Sequence, residues 1–267
     1  MLKTSIIQFR PEFADIPANT AKVNKLLSSA KKSDLVVLPE LANTGYNFIN
    51  KEQALSLAEK PEKSEYVDML TDHAVKNKQI IVSGYHELEK NKLYNTSLLI
   101  TEEGIVGKYR KVHLFMHEKT IFEAGNLGFP VFNVKDIKLG MLICFDYLFS
   151  EAWRILGLKG ADIVAHPSNL ITQNATIVVP AQALMNRLYV LTANRTGTER
   201  SLTFNGRSFA AGPDGRFVMQ LKHDRETVKD FEIDPLMARD KFITPLNHVF
   251  EDRFPGQYKE MLKKNLT

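Results

Sequence analysis

The chain has 267 residues, of which 44% are hydrophobic and 25% charged, and its formal net charge is +4. That composition builds a sizeable core and excludes a disordered chain; the small, interleaved excess of positive charge lacks the dense basic face of a nucleic-acid-binding protein. A single cysteine, Cys144, excludes an internal disulfide and with it a secreted disulfide scaffold or a multi-cysteine metal centre.

In chain order, residues 4–9 read as a strand. Residues 21–32 read as an amphipathic helix with Val23, Leu26, Leu27 and Ala30 on one face. Residues 35–38 form a short, wholly apolar strand that runs into Pro39-Glu40. A second helix is expected over 64–76, where Val67, Leu70 and Ala74 recur at helical spacing. Strands follow over 79–83, 93–101 and 105–109, the last two joined by a turn at Glu103-Gly104. Strands over 131–134 and 139–143 lead to Cys144. Ser150 is expected to cap a helix over 151–158, with Gly160 near its end. Then come a strand over 163–165, a helix over 180–187 opened by Pro180, and strands over 189–193, 207–211, 217–221 and 228–233. Hairpin-joined strands mixed with helices indicate an α/β (α+β) fold of mixed sheets covered by helices. With no linker or repeat in sight, one domain over 1–267 is expected, with a tail from about 235. No apolar run approaches the ~20 residues of a membrane helix, and the N-terminus lacks a signal-peptide layout. A cytoplasmic location, with no membrane or nucleic-acid partner, is the expectation.

Three places could carry chemistry. Cys144 lies at the end of a strand on the turn into a helix, where a nucleophile projects from a sheet and backbone N–H groups stand ready for an oxyanion; the plainer alternative is a buried core cysteine. Glu40 ends a buried apolar strand, either lining a site at the sheet edge or organising a loop. Lys111 sits in Tyr109-Arg110-Lys111-Val112-His113. Strand alternation puts Tyr109, Lys111 and His113 on one face, so a lysine among basic neighbours could still point into a pocket.

Together these segments resemble a known family. Leu38-Pro39-Glu40 with Gly45-Tyr46, then Tyr109-Arg110-Lys111-Val112-His113-Leu114-Phe115, then Gly140-Met141-Leu142-Ile143-Cys144-Phe145-Asp146 with Glu151 and Arg154, then Gly160-Ala161-Asp162-Ile163 with His166-Pro167-Ser168, closely resemble the nitrilase superfamily of carbon–nitrogen hydrolases, and within it short archaeal-type members. Patches at Ala193–Gly197 and Gly206-Arg207-Ser208 add to the likeness, which runs over residues 4–233. The resemblance implies a four-layer α-β-β-α sandwich of two mixed sheets, a homodimer or larger assembly through the helices at 151–158 and 180–187, and no metal or organic cofactor. It implies Glu40 as general base, Lys111 as the cation at the oxyanion and Cys144 as the nucleophile that forms a thioester. A second glutamate is implied between the lysine and the cysteine. Glu118 and Glu123 both stand there, and spacing favours Glu118. Tyr46, Phe145, Tyr147 and Asn169 are the candidate pocket-lining residues; the aromatics could equally be core packing. His113 and His166 read as satisfied structural histidines.

Phe145-Asp146 after the nucleophile looks more like the amidase and carbamoylase branches than the Trp-Glu common among nitrile hydrolases. Tyr147-Leu148-Phe149 offers no arginine to clamp a substrate carboxylate. The implied reaction is therefore hydrolysis of a small amide to acid and ammonia. An N-carbamoyl-amine hydrolase or a nitrilase of the same fold are the alternatives, and a catalytically silent binding protein is the alternative of another class.

Overall fold

The computed structural model describes residues 1–263; the last four residues of the expected tail lie outside the described residues. The first half of the chain gives β1 (Leu2–Gln8), α1 (Ile16–Ser29), β2 (Leu35–Val37), α2 (Lys51–Leu57), α3 (Glu65–Asn77), β3 (Ile80–Glu89), β4 (Lys92–Thr101), β5 (Gly104–Arg110) and the short α4 (Glu118–Ile121). The second half gives β6 (Val131–Val134), β7 (Ile137–Met141), α5 (Ser150–Leu158), β8 (Ile163–Ser168), α6 (Ala175–Asn186), β9 (Tyr189–Asn194), β10 (Thr196–Glu199), β11 (Leu202–Asn205), β12 (Phe209–Ala211), β13 (Phe217–Gln220), β14 (Thr227–Ile233), α7 (Leu236–Arg239), β15 (Phe242–Thr244) and β16 (Asn247–His248).

Two six-stranded mixed sheets result, in the orders β14-β1-β2-β3-β4-β5 and β13-β12-β9-β8-β7-β6. In the first, β1, β2 and β3 are parallel neighbours; in the second, β7, β8 and β9 are. Strand alternation sorts the apolar side chains. Ile7, Val36 and Ile81 pack outward against Val23 and Leu27 of α1 and Leu70 and Ala74 of α3. Their neighbours Ile6, Val37, Ile80 and Val82 point the other way and join Leu139, Met141, Ile163 and Ala165 of the second sheet. Trp153 and Leu156 of α5 and Val179 and Ala183 of α6 belong to that same cluster. The layers are therefore α-β-β-α. No helix among the described residues is long and apolar enough to cross a membrane.

Several elements differ from their expected limits, each for a local reason. Helix α1 begins earlier than residue 21, because the Asp15 carboxylate accepts from the Ala18 N–H at 2.9 Å and Pro17 stands in the first turn. Helix α6 also begins earlier than expected, so Pro180 sits inside it rather than at its start; an apolar, packed helix absorbs the missing N–H. Ser150 is the first helical residue and Phe149 occupies the cap position, so the expected serine cap is absent; the Ser150 hydroxyl turns to Glu151 at 3.3 Å. Strand β12 starts at Phe209 because Arg207 has a positive φ of 53°. The turn between β4 and β5 falls on Glu102-Glu103, with Gly104 (φ 88°) opposite Thr101. Helices α2 and α4 and the β10–β11 and β15–β16 hairpins have no counterpart among the expected elements.

Candidate active site

Glu40, Lys111, Cys144 and Asn169 follow β2, β5, β7 and β8, respectively. For the parallel strands β2, β7 and β8 this is the carboxyl end, where side chains leaving the strands converge in a crevice. The turns that carry the residues are tightly specified. Leu142 prolongs the β7–β8 pairing by donating to the Ala165 carbonyl at 3.1 Å. Cys144 then takes a positive φ of 45°, a conformation that costs a non-glycine residue on the order of 1–2 kcal/mol. Two contacts hold it there. The Asp146 carboxylate accepts from the Ile143 N–H at 2.9 Å, and His166 Nε2 donates to the Cys144 carbonyl at 2.9 Å. A carbonyl only accepts, so Nε2 carries the proton and Nδ1 accepts from the Thr192 hydroxyl at 3.0 Å. Burial lowers the His166 pKa to about 4, which keeps the ring neutral.

Asp146 also ties this turn to the lysine segment. It accepts from the Tyr109 hydroxyl at 2.8 Å and from the His113 N–H and Nδ1 at 3.1 and 2.7 Å. His113 stacks on Phe149 with ring centroids 3.5 Å apart. Both histidines are thus satisfied parts of the scaffold. The basic run around Lys111 is not a solvated edge: Arg110 is buried, its guanidinium paired with Glu87 at 2.8 Å and stacked over Tyr94.

The Lys111 ammonium is buried and bridges two buried carboxylates. It lies 2.7 Å from Glu40 Oε1 and 2.7 Å from Glu118 Oε1. Burial alone would lower its pKa, but the charges of Glu118 and Glu40 outweigh this and hold it well above the ordinary lysine value. Glu118 is fixed in turn by the Phe115 N–H, 3.0 Å from Oε2. Glu123, the other glutamate in this stretch, is half-exposed and faces Lys51 at 3.6 Å. Glu40 Oε1 accepts a second hydrogen bond, from Asn95 Nδ2 at 2.7 Å. Its Oε2 is buried without a partner among the described residues. Desolvation raises the Glu40 pKa above the usual carboxylate range; Glu118 adds to this, and Lys111 and Asn95 oppose it. Cys144 is 5% exposed. Burial and then the Glu40 charge push its thiol well above the ordinary cysteine value, against the pull of Lys111. At neutral pH the sulfur is a thiol that needs a base before it can attack.

Two cavities open on this cluster. One, of about 130 Å³, is lined by Tyr46, Phe115, Glu118, Phe122 and Asn169. The other, of about 180 Å³, is lined by Cys144, Phe145, Tyr147, Leu170 and Asn169. Phe115, Asn169 and Ile171 belong to both. All four expected lining residues therefore reach a cavity wall, divided between the two. Asn169 donates from Nδ2 to the Glu40 carbonyl at 3.1 Å, and its Oδ1 is buried without a partner among the described residues. The Tyr46 segment is clamped from the β10 hairpin: Glu199 accepts from the Tyr46 N–H at 2.9 Å and from the Asn47 N–H, and it pairs with buried Arg195 at 2.6 Å. Asn95, Asp146, Arg195 and Glu199 were not assigned roles from sequence. The Arg195–Glu199 spacing and the acidic residue next to Phe145 were the available signals.

A family model described as "Carbon-nitrogen hydrolase" matches residues 3–241. A "Nitrilase" of Pyrococcus abyssi is 42% identical over 260 residues, covering 97% of this chain and 99% of the relative. An "(R)-stereoselective amidase" of a Pseudomonas species is 29% identical over 244 residues, covering 89% and 87%. Among solved structures, the NitN amidase from a Nesterenkonia species superposes with a TM-score of 0.83 at 22% identity, covering 98% of this chain and all of that one; at that identity the likeness speaks for the fold.

Proposed function

The chain belongs to the carbon–nitrogen hydrolase family, and on that premise we propose that it hydrolyses a small neutral amide to a carboxylic acid and ammonia through a thioester on Cys144. The observation that carries the reading is the bridged cluster: one ammonium shared by two buried carboxylates, next to a buried thiol held on a strained turn.

Each group has one task in this scheme. Glu40 takes the Sγ proton as Cys144 attacks the amide carbon. Of the three Lys111 N–H donors, two are engaged by Glu40 and Glu118, which leaves one for the developing oxyanion. The Phe145 backbone N–H, first after the nucleophile, is the second donor. Collapse of the tetrahedral adduct breaks the C–N bond, and Glu40 gives its proton to the departing nitrogen. Water then enters, loses a proton to Glu40 and adds to the thioester carbon; as the C–S bond breaks, that proton returns to sulfur. Glu40 is regenerated between the half-reactions, so one carboxylate serves both. Glu118 orients Lys111 and does not transfer a proton.

Tyr46, Phe145, Tyr147 and Asn169 shape the substrate site. Among the described residues neither cavity is lined by a lysine or arginine, and the nearby Lys111 ammonium is outnumbered by the Glu40 and Glu118 carboxylates it bridges, so the site favours an uncharged acyl group over a carboxylate-bearing one. We also propose a single domain, a cytoplasmic location and a homodimer through α5 and α6, whose exposed Leu158, Ile177 and Met185 form an apolar face.

The test is ammonia release by the wild type and Cys144→Ala over a panel of amides, N-carbamoyl amines and nitriles. Release from neutral amides that vanishes in the variant supports the reading. Release confined to carbamoyl compounds or to nitriles moves the protein to another branch of the family. A folded wild type that turns over none of them favours a binding protein.

A further inference from the structure

We infer that Asn95 is a positioning residue of the hydrolysis: it fills Glu40 Oε1 together with Lys111 and so leaves Oε2 as the oxygen that moves the proton. The inference rests on the reading of Glu40 as the general base.

Asn95 lies on β4, opposite His86 of β3. Its backbone carbonyl accepts from the Lys111 N–H at 2.8 Å, and its side chain donates to Glu40 Oε1 at 2.7 Å. One residue therefore sets the main chain of the lysine and the carboxylate of the base at once. Asn95 is 1% exposed and lines neither cavity. Its side chain acts on the reaction through Glu40, and its backbone carbonyl through the placement of Lys111.

The two Glu40 oxygens are unequal as a result. Oε1 accepts two short hydrogen bonds, one from a cation. Oε2 is buried with no partner among the described residues. A proton prefers the oxygen whose lone pairs are not already engaged by donors. A buried acceptor left bare is costly, and that cost is consistent with an oxygen kept open for the thiol, the leaving nitrogen and the water in turn. The amide orientation of Asn95 follows from the same chemistry. A carboxylate oxygen already bound to an ammonium needs a donor, so Nδ2 faces it and Oδ1 turns away.

The charged and titratable groups that face Glu40 are Lys111 after β5, Glu118 of α4, Cys144 after β7, Tyr46 in the loop beyond Glu40, and Arg195 after β9. None of them is altered by substitution at Asn95. Loss of the Asn95 N–H removes one donor that stabilises the Glu40 carboxylate, so the acid limb of the rate profile moves to higher pH.

The experiment compares the wild type with Asn95→Leu and Asn95→Asp, both with the branching and side-chain heavy-atom count of asparagine. Steady-state hydrolysis of a neutral amide is followed from pH 5 to 9, with active sites counted by burst titration and folding checked by circular dichroism. In parallel, the rate of Cys144 alkylation by iodoacetamide is measured over the same pH range. For Asn95→Leu, kcat per active site falls on the order of tenfold while KM stays within about twofold, and both acid limbs shift upward. Asn95→Asp, which sets a second carboxyl against Oε1, shifts them further and loses more. Profiles that overlay the wild type, or a loss confined to KM or to the fraction folded, overturn the inference. If one variant does not fold, the other decides. A wild type that hydrolyses no amide, with the alkylation limb still moved by Asn95→Leu, fails the amidase reading and leaves the positioning role standing. A wild type that hydrolyses amides, with unmoved limbs in the variants, does the reverse.

Discussion

Replacing Lys111 with methionine probes the buried cluster most severely. The ammonium lies 2.7 Å from a carboxylate oxygen on either side, and all three side chains are at most 3% exposed. Unit charges about 4 Å apart attract by about 4 kcal/mol at an effective dielectric near 20, so two such attractions sum to about 8 kcal/mol. The full sum will not be lost, because Glu40, already raised by burial, rises further without Lys111 and takes up a proton. Removing one partner of a buried ion pair typically costs about 3–5 kcal/mol, and that is the destabilisation expected at pH 8. For a chain of this size it lowers Tm by about 10 °C. The sign with pH is fixed. A carboxyl whose folded pKa lies above its unfolded value binds a proton more tightly when folded. It therefore contributes stability at low pH that is lost as pH rises through the folded pKa. The gap between Lys111→Met and wild type should narrow as pH falls from 8 to 5. Urea unfolding at both pH values measures it, and ammonia release should fall about 10²–10³-fold with the oxyanion donor gone. A variant as stable as the wild type at pH 8, or a gap independent of pH, would refute the bridged arrangement.

Three further outcomes follow from the surrounding contacts. Asp146→Asn keeps the shape but turns one of two acceptor oxygens into a donor facing other donors; stability should fall by about 2–3 kcal/mol and kcat should fall more than KM rises, read from urea unfolding and steady-state kinetics. Arg195→Met leaves buried Glu199 unpaired beneath the Tyr46 segment; we expect a loss of about 3–5 kcal/mol and a several-fold higher KM. Burial holds His166 at a pKa of about 4 and His86 at about 3, both from 6.5. The folded state thus resists protonation that the unfolded chain accepts, and stability should drop as pH falls from about 6.5 towards 4. His86→Phe should flatten that slope, as urea midpoints at pH 7 and pH 5 would show.

Glu40 and Cys144 were legible as candidates because they sit where apolar strands stop, while their roles, and those of Lys111 and Glu118, came from the family resemblance. Leu35-Val36-Val37-Leu38 ending in Pro39-Glu40, and Leu139–Ile143 ending in Cys144, mark side chains released at strand ends. Mixed sheets covered by helices followed from the alternation of such strands with amphipathic helices; the four-layer α-β-β-α order was implied by the family resemblance. The supporting residues were less visible. Asn95 reaches Glu40 only because β4 lies between β3 and β5, a pairing that local pattern does not specify. Asp146 could be read as a turn acid, but not as the acceptor for Tyr109 and His113, which arrive from another sheet. The β10–β11 hairpin has no strong turn dipeptide, and its role in holding Tyr46 depends on an ion pair formed after folding. Element ends moved where one residue decided them: Asp15 for α1 and Arg207 for β12.

The central claim, a covalent acyl-enzyme on Cys144, is tested most directly by intact-mass and peptide mass spectrometry of the protein acid-quenched during turnover of a neutral amide. The account predicts a mass increase equal to the acyl group, located on the peptide containing Cys144 and absent from Cys144→Ala. Steady amide turnover in the Cys144→Ala protein, or turnover by the wild type with no acyl adduct even when a slow-hydrolysing amide is used, would contradict it.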